Sequence, residues 1–453
     1  MSHDSLEDAL QAAGNPVELF RGIGGHVDFP YVASEYTNWI DEQRACFESC
    51  VLADLSHHQM DQYIRGEDAI DALSYLSVNT FEDFEVGQAK QPVMCNSDGK
   101  MIGDGILQRL SEDEFVLSGS PSPANWLQYH LDTGDYDATA EIYPMSAVTD
   151  DDPRWFTYQV QGPNALDVME AVTDDPLPDI PFFRFDWLSI DGTEVRALRH
   201  GMANQAGFEL QGPWEAAHDV KQALLAAGAD YGMRRLGTRS YKSLPVLIGW
   251  VDVYLKALYD EDDEQLRAYR EWLSPDSFEG SVSLVGSFDS DDISDYYLSP
   301  LEAGYEHIVD FDHDFVGKEA LQAEMEDPPR ELVTLVWDQE DAGEIYTSLF
   351  RDGTPYKFVD LPRARMRAHY DEVRADGDCV GLSRHPGYSY QDRVMLSLCS
   401  IDREYSDPGT EVTVVWGESG ESPNPTIEEH EQTEIRATVA SVPFTDDERK
   451  ADW

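Results

Sequence analysis

Twice along this chain a strand-length segment turns through a glycine into a helix. The phrases Tyr63-Ile64-Arg65-Gly66-Glu67-Asp68-Ala69 and Val160-Gln161-Gly162-Pro163-Asn164-Ala165 share that design. Their downstream segments are also alike. After the first phrase come strand-sized pieces at Ala89 to Cys95, Gly105 to Leu110 and Glu114 to Ser118, then a helix from Pro123 to Thr133. After the second come strands at Phe185 to Ile190, Gly192 to Leu198 and Gly207 to Gln211, then a helix from Trp214 to Ala227. A recurrence of this kind restricts the fold to an α+β unit used twice. Asn96-Ser97-Asp98-Gly99 reads as a hairpin turn inside the first unit. Ahead of both units, residues 34–50 carry a helical stripe and Val51 to Leu55 read as a short strand.

Beyond the second unit the pattern changes. The stretch 258–296 is strongly acidic and reads as a surface insertion. Pro328-Pro329 marks a linker. Past it, Glu331 to Trp337, Cys379 to Leu382, Val394 to Ser400 and Glu411 to Trp416 are short strands between Gly and Pro turns, which predicts a small β-barrel or sandwich.

Charge decides the function classes. Lys and Arg number 32 against 89 Asp and Glu, a formal net charge of -57. The acids are dispersed, in runs such as Asp150-Asp151-Asp152, Glu261-Asp262-Asp263-Glu264 and Asp289-Ser290-Asp291-Asp292, rather than gathered in a tail. Such self-repulsion weakens a folded state unless concentrated salt screens it, so a halophilic protein is expected. The same balance argues against nucleic acid and anionic membranes as partners. No apolar run reaches the length of a membrane span, and the acidic N-terminus lacks the form of a signal peptide. Five cysteines in 453 residues are no disulfide framework and complete no zinc set. A soluble cytoplasmic protein is expected, with no metal and no obligatory protein partner.

An ordered set of segments resembles the glycine cleavage T-protein family of folate-dependent enzymes. They are His58-Gln59-Met60 to Ala72, Asp104 in its hairpin, Val160-Gln161-Gly162-Pro163, Gly207-Phe208-Glu209, Leu301-Glu302-Ala303-Gly304-Tyr305, and Asp314-Phe315-Val316-Gly317-Lys318-Glu319-Ala320-Leu321. Within that family the chain looks closest to the tetrahydrofolate-dependent vanillate- and syringate-type aryl O-demethylases. Tyr36-Thr37-Asn38-Trp39, Asp54-Leu55-Ser56-His57-His58, Gly237-Thr238-Arg239-Ser240-Tyr241 and Gly381-Leu382-Ser383-Arg384 carry the narrower likeness. The resemblance implies a three-lobed T-protein-like fold: two α+β subdomains and a C-terminal β-barrel-like domain. On this reading residues 1–330 bind folate, with subdomains of about 1–50 plus 150–250 and of about 51–149, and residues 331–453 form the barrel.

The resemblance also implies site residues. Glu209 would grip the pterin edge through charge-assisted bonds; Asp104, Gln161 with Gly162, and Trp250 would complete the folate site. Two departures weigh against aminomethyl chemistry. Gly103-Asp104 lacks one acid of the family's Asp pair, and Gly201-Met202-Ala203-Asn204-Gln205-Ala206 replaces a Gly-Tyr-Thr-Gly-Glu-Asp run. The expected reaction is methyl transfer from a methoxylated aromatic acid, the small-molecule donor, to folate N5. That displacement needs its three reacting atoms in line and a proton for the departing phenolate. A tyrosine matches a phenol leaving group in pKa, and Tyr241 holds the demethylases' catalytic-tyrosine position. His58 would orient the phenolic oxygen, and Tyr31, Arg109 and His57 would hold the rest of the donor. Structural roles are the alternative for each: the chain has 22 tyrosines, and Arg109 is equally suited to a salt bridge. Two rival functions stand beside this one: an aminomethyltransferase, and a folate-binding accessory protein, whose Lys-Gly-Cys-Tyr signature is absent.

Overall fold

The computed structural model describes all residues except 1–2, 26–30, 150, 262, 364 and 450–453. The repeated phrase becomes a repeated substructure. Strand Met60–Gly66 runs into helix Ala69–Leu76, and strand Trp155–Gln161 runs into helix Ala165–Val172. The glycine between them has the same job both times. Gly66 (φ 137°) and Gly162 (φ 125°) lie where L side chains rarely go. A Cβ on Gly66 would meet the Asp137 carbonyl at 2.2 Å, and one on Gly162 the Ser49 carbonyl at 2.6 Å. The glycine lets each helix entry press against a neighbouring backbone.

Each unit builds a sheet with helices on one face. The first sheet contains, among others, antiparallel strands Met101–Arg109, Glu114–Gly119, Met60–Gly66 and Ala138–Tyr143 in that spatial order. Its core, Met60, Ile64, Leu107, Phe115 and Leu117, is covered by helices Ala69–Leu76 and Pro121–Thr133. The second sheet has six strands in the order Arg234–Leu236, Val51–Asp54, Trp155–Gln161, Gly207–Pro213, Thr193–Arg199, Phe185–Ile190. Phe156, Tyr158, Val160, Phe208 and Leu210 face helices Ala165–Val172 and Ala217–Gly228. Strand alternation turns the intervening side chains to the other face. There Thr157, Gln159, Gln161, Arg196, Glu209 and Gln211 are polar and yet buried. The reason is the first sheet: Gln211 donates to Asp61 Oδ2 at 2.7 Å across the junction.

The third lobe is a closed six-stranded barrel, Arg330–Trp337, Val394–Asp402, Asp378–Ser389, Asp371–Ala375, Glu411–Trp416 and Thr433–Ala440 in order around it. Leu332, Leu396 and Leu398 on its wall share a core with Val51, Leu244, Val246 and Leu298, so the barrel abuts the second unit.

Two expectations are corrected. The subdomain edge is not at residue 50: Val51–Asp54 pairs with both Trp155–Gln161 and Arg234–Leu236, in the second sheet. The N-terminal helices Leu6–Ala13 and Pro16–Arg21 join the core of the first sheet instead of the second. The acidic stretch 258–296 is not a surface insertion either. Its helix Glu264–Trp272 buries Leu266 and Tyr269, and Tyr259, Leu284 and Tyr296 are also in that core. Arg270 forms a buried ion pair with Glu7 at 2.6 Å, which pins the stretch to the first helix. Composition misled because the acids sit on one helix face and the apolar stripe on the other.

Candidate functional site

The site is built where the inner faces of the sheets meet the segment 238–254. His58 lies in the turn after strand Val51–Asp54, and Tyr241 in the short helix Thr238–Tyr241. His58 Nε2 is 3.2 Å from Tyr241 Oη, and the rings meet edge to face at 5.1 Å. Tyr241 Oη also reaches Met202 Sδ at 3.6 Å. Met202 is held by its backbone N–H, which donates to Gln161 Oε1 at 2.6 Å. Burial pushes the His58 imidazole down to about 3, so the ring is neutral at physiological pH. Burial, then the nearby Glu209 and Asp252 charges, raises the Tyr241 phenol above its ordinary value, so it stays protonated. The arrangement is a neutral imidazole hydrogen-bonded to a phenol that still owns its proton.

Glu209 stands on the inner face of strand Gly207–Pro213, opposite Gln159 in the ladder. Burial and the Asp61 carboxylate raise it to about 7, against the partial relief of Arg196 and a bond from Gln59. Gln159 donates its amide to the His200 carbonyl at 2.6 Å. Its Oε1 has no hydrogen-bond partner among the described residues. Two buried acceptors therefore sit side by side with capacity to spare. They fit the N–H edge of a pterin, which presents donors to both.

Asp104 is more heavily bonded on one oxygen. Gln91 Nε2 at 2.7 Å, Tyr305 Oη at 2.9 Å and Trp250 Nε1 at 3.1 Å all donate to its Oδ2. Trp250 is thus held by its indole N–H, half-buried, at the same spot as Asp104.

His57 is turned away from Tyr241. Its Nδ1 is 2.7 Å from Ser146 Oγ, and its ring stacks obliquely on Tyr31 at 4.6 Å and edge-on to Trp214 at 5.4 Å. Adjacent histidines on a strand would face opposite ways. These two lie in a turn and still part ways. Tyr31 is 72% exposed. Arg109 is a correction. It sits at the end of strand Met101–Arg109, bonded to the carbonyls of Phe84, Ser111 and Glu112 and paired with Glu112 at 3.6 Å. The guanidinium is taken up by three carbonyls and a surface ion pair rather than left open to a substrate carboxylate.

Residues that sequence reasoning passed over also belong here: Asp61, Arg196 and Gln211 around Glu209, and Asp252, whose carboxyl burial raises, beside Tyr241. Tyr305 and Gln91, which hold Asp104, complete them. Tyr305 closes the phrase Leu301-Glu302-Ala303-Gly304-Tyr305, so a signal for it existed. The isolated acids carry no signal in a chain with 89 of them.

The family of the GCVT N-terminal domain matches residues 6–252. A syringate O-demethylase from a Sphingobium species is 40% identical over 97% of this chain and 96% of its own length. A sesamin methylene transferase from a Sinomonas species is 31% identical over 93% and 92%. An aminomethyltransferase from Halalkalibacterium halodurans is 26% identical over 88% and 92%. The crystal structure of the glycine cleavage system aminomethyltransferase T from Bartonella henselae superposes with a TM-score of 0.62 at 16% identity, covering 95% of this chain and 97% of that one.

Proposed function

Because this chain belongs to the glycine cleavage T-protein family, we propose that it moves a methyl group from a methoxylated aromatic acid to the N5 of tetrahydrofolate. The observation that carries this reading is the Tyr241–His58 pair, a protonated phenol and a neutral imidazole 3.2 Å apart beside Glu209. Full-length similarity to a syringate O-demethylase supports the aryl-ether donor.

Tetrahydrofolate, when bound, supplies the nucleophilic nitrogen. Glu209 and Gln159 Oε1 would accept from the pterin edge and so orient the ring; Gln161 sets the wall through Met202. The methyl–oxygen bond breaks as the nitrogen–methyl bond forms, and charge develops on the phenolic oxygen. Tyr241 gives that oxygen its proton, or a strong hydrogen bond, at the moment it is needed, and the proton that the nitrogen sheds on methylation restores the Tyr241 phenol. Desolvation raises the pKa of any phenol in this site, so donor and leaving group remain matched. His58 Nε2 holds the Tyr241 hydroxyl in place. Asp104 and Trp250 position the neighbouring wall, and the Tyr31–His57–Trp214 cluster is the surface for the aromatic ring of the donor.

The test is mass spectrometry of the folate pool after incubation with tetrahydrofolate and syringate or vanillate. Methyl-tetrahydrofolate with an equimolar demethylated phenol is expected. Folate binding without any methyl transfer would sink the reaction and leave the ligand. A methylene adduct from a methylenedioxyaryl donor would favour methylene transfer instead, a reading supported by the 31% identity to a sesamin methylene transferase.

The working environment is proposed on charge. With -57 formal charges, the protein is an intracellular halophile that needs concentrated salt to stay folded. A melting temperature unchanged between low and molar potassium chloride would count against this. Among the described residues no helix is long and apolar enough to cross a membrane.

A further inference from the structure

The two sides of the site belong to different sheets. Glu209 rides on strand Gly207–Pro213 of the second sheet. His58, which holds Tyr241, stands two residues before strand Met60–Gly66 of the first. In-line displacement tolerates little error, and a misplacement of about 1 Å costs roughly a hundredfold in rate. Some contact must therefore fix one sheet against the other close to the reacting groups.

Two amide–carboxylate pairs cross the junction there, in opposite senses. Gln59 donates to the Glu209 carboxylate. Gln211, two residues beyond Glu209 and on the same face, donates from Nε2 to Asp61 Oδ2 at 2.7 Å. Asp61 in turn is two residues beyond Gln59. The Gln211 amide has one way to face. Arg196, its partner in the ladder, donates to Gln211 Oε1, so the amide nitrogen points across the junction. On the other side Ser118, the ladder partner of Asp61, donates to Asp61 Oδ1 at 2.5 Å. Arg196, Gln211 and Ser118 are all buried, which shields these bonds from competing water. The series Arg196, Gln211, Asp61, Ser118 thus begins in the second sheet and ends in the first. The Gln59 bond shares its acceptor with any ligand that Glu209 takes. The Gln211–Asp61 bond shares neither partner, so it persists when the site is filled.

We propose that Asp61 is a positioning residue for methyl transfer: by holding Gln211 it registers the strand that carries Glu209 against the segment that carries His58. The inference rests on the proposed reaction. Asp61 also presents a charge to Glu209, so a test has to separate the bond from the charge. Asparagine does this. Its amide donates to Ser118 Oγ while its oxygen still accepts from Gln211.

Single-turnover methyl transfer and tetrahydrofolate affinity are measured for the wild type, Asp61→Ala, Asp61→Asn, Gln211→Met and the double variant Asp61→Ala/Gln211→Met. One salt concentration is used, at a pH that keeps Glu209 ionised, and melting curves show which variants are folded. Asp61→Ala and Gln211→Met are each expected to slow transfer by about ten- to a hundredfold and to change tetrahydrofolate affinity far less. Asp61→Asn should restore most of the rate. The double variant should be no slower than the worse single one, because the same bond is lost only once. A folded Asp61→Ala with the wild-type rate overturns the inference. So does an Asp61→Asn as slow as Asp61→Ala, since charge and not the bond then matters. A double variant whose losses multiply overturns it too, as does an affinity loss as large as the rate loss. Should Asp61→Ala fail to fold, Gln211→Met and Asp61→Asn decide. A wild type that transfers no methyl group sinks the proposed reaction itself, and this inference with it.

Discussion

The two α+β units differ most in how each treats its inner-face carboxylate. In the first, Asp104 has three donors on one oxygen. In the second, Glu209 is buried with its pKa pushed up to about 7, next to a Gln159 oxygen with no partner among the described residues. The scaffold is the same down to the glycine that starts each helix, so on the proposed folate reading the scaffold does not decide which unit binds. What decides it is which acceptors the protein leaves open. A carboxylate with three donors on one oxygen is an anchor for the wall; a buried one beside an unpartnered amide oxygen has acceptor capacity left for a ligand.

The sharpest way to test that division is to remove the proton donor that stands between the units. Tyr241→Phe should lower kcat by about 10²- to 10⁴-fold with tetrahydrofolate affinity intact; a change in affinity alone would make Tyr241 a binding residue. Next come the carboxylates. Glu209→Gln should weaken tetrahydrofolate binding by roughly ten- to a hundredfold. Asp104→Asn should cost mainly stability, since three donors would then compete for an amide. Calorimetry on both variants that found the larger binding loss at Asp104 would reverse the comparison. The shared glycines should behave alike: Gly66→Ala and Gly162→Ala are each expected to destabilise by about 1–3 kcal/mol, read as shifts in denaturant midpoint. An unaffected Gly162→Ala would break the equivalence of the two units.

The smallest effect is in pH. A pterin edge of N–H donors prefers ionised Glu209, so binding expels a proton whenever the carboxyl is protonated. Affinity should then fall as pH drops below about 7, by at most about tenfold per pH unit, and Glu209→Gln should flatten the profile. The sign for folding is opposite. Between the ordinary 4.5 and about 7 the folded protein holds a proton that the unfolded chain has lost, so this group favours folding less as pH rises.

The repeat was legible in the sequence because glycine is needed where two backbones touch, and strand and helix periodicities flank it. The barrel was legible for a similar reason, although strand Thr433–Ala440 and helix Gln339–Ser348 went unread among polar residues. The site was legible only in part. Motif phrases carried Tyr241, His58, Glu209 and Asp104 to the same junction. Asp61 and Asp252 acquire meaning only from burial, which a strongly acidic composition conceals. Arg109 misled because a scarce cation looks reserved for a ligand, whereas three carbonyls claim it. The stretch 258–296 misled because charge counts hid the buried Tyr259, Tyr269 and Tyr296.

Strand Val51–Asp54 has one more consequence, for the order in which the molecule assembles. It precedes the first unit in the chain but sits inside the sheet of the second, where Val51 pairs with Gln161 and with Arg234. As the chain emerges from the ribosome, this strand must remain unpaired while the whole first unit is synthesised. Loop closure over such separations is slow, and an unpaired apolar strand invites wrong partners. The two units are thus stitched by their own topology. Cutting the chain between them should yield a first half with a dangling strand and a second half with a gap in its sheet.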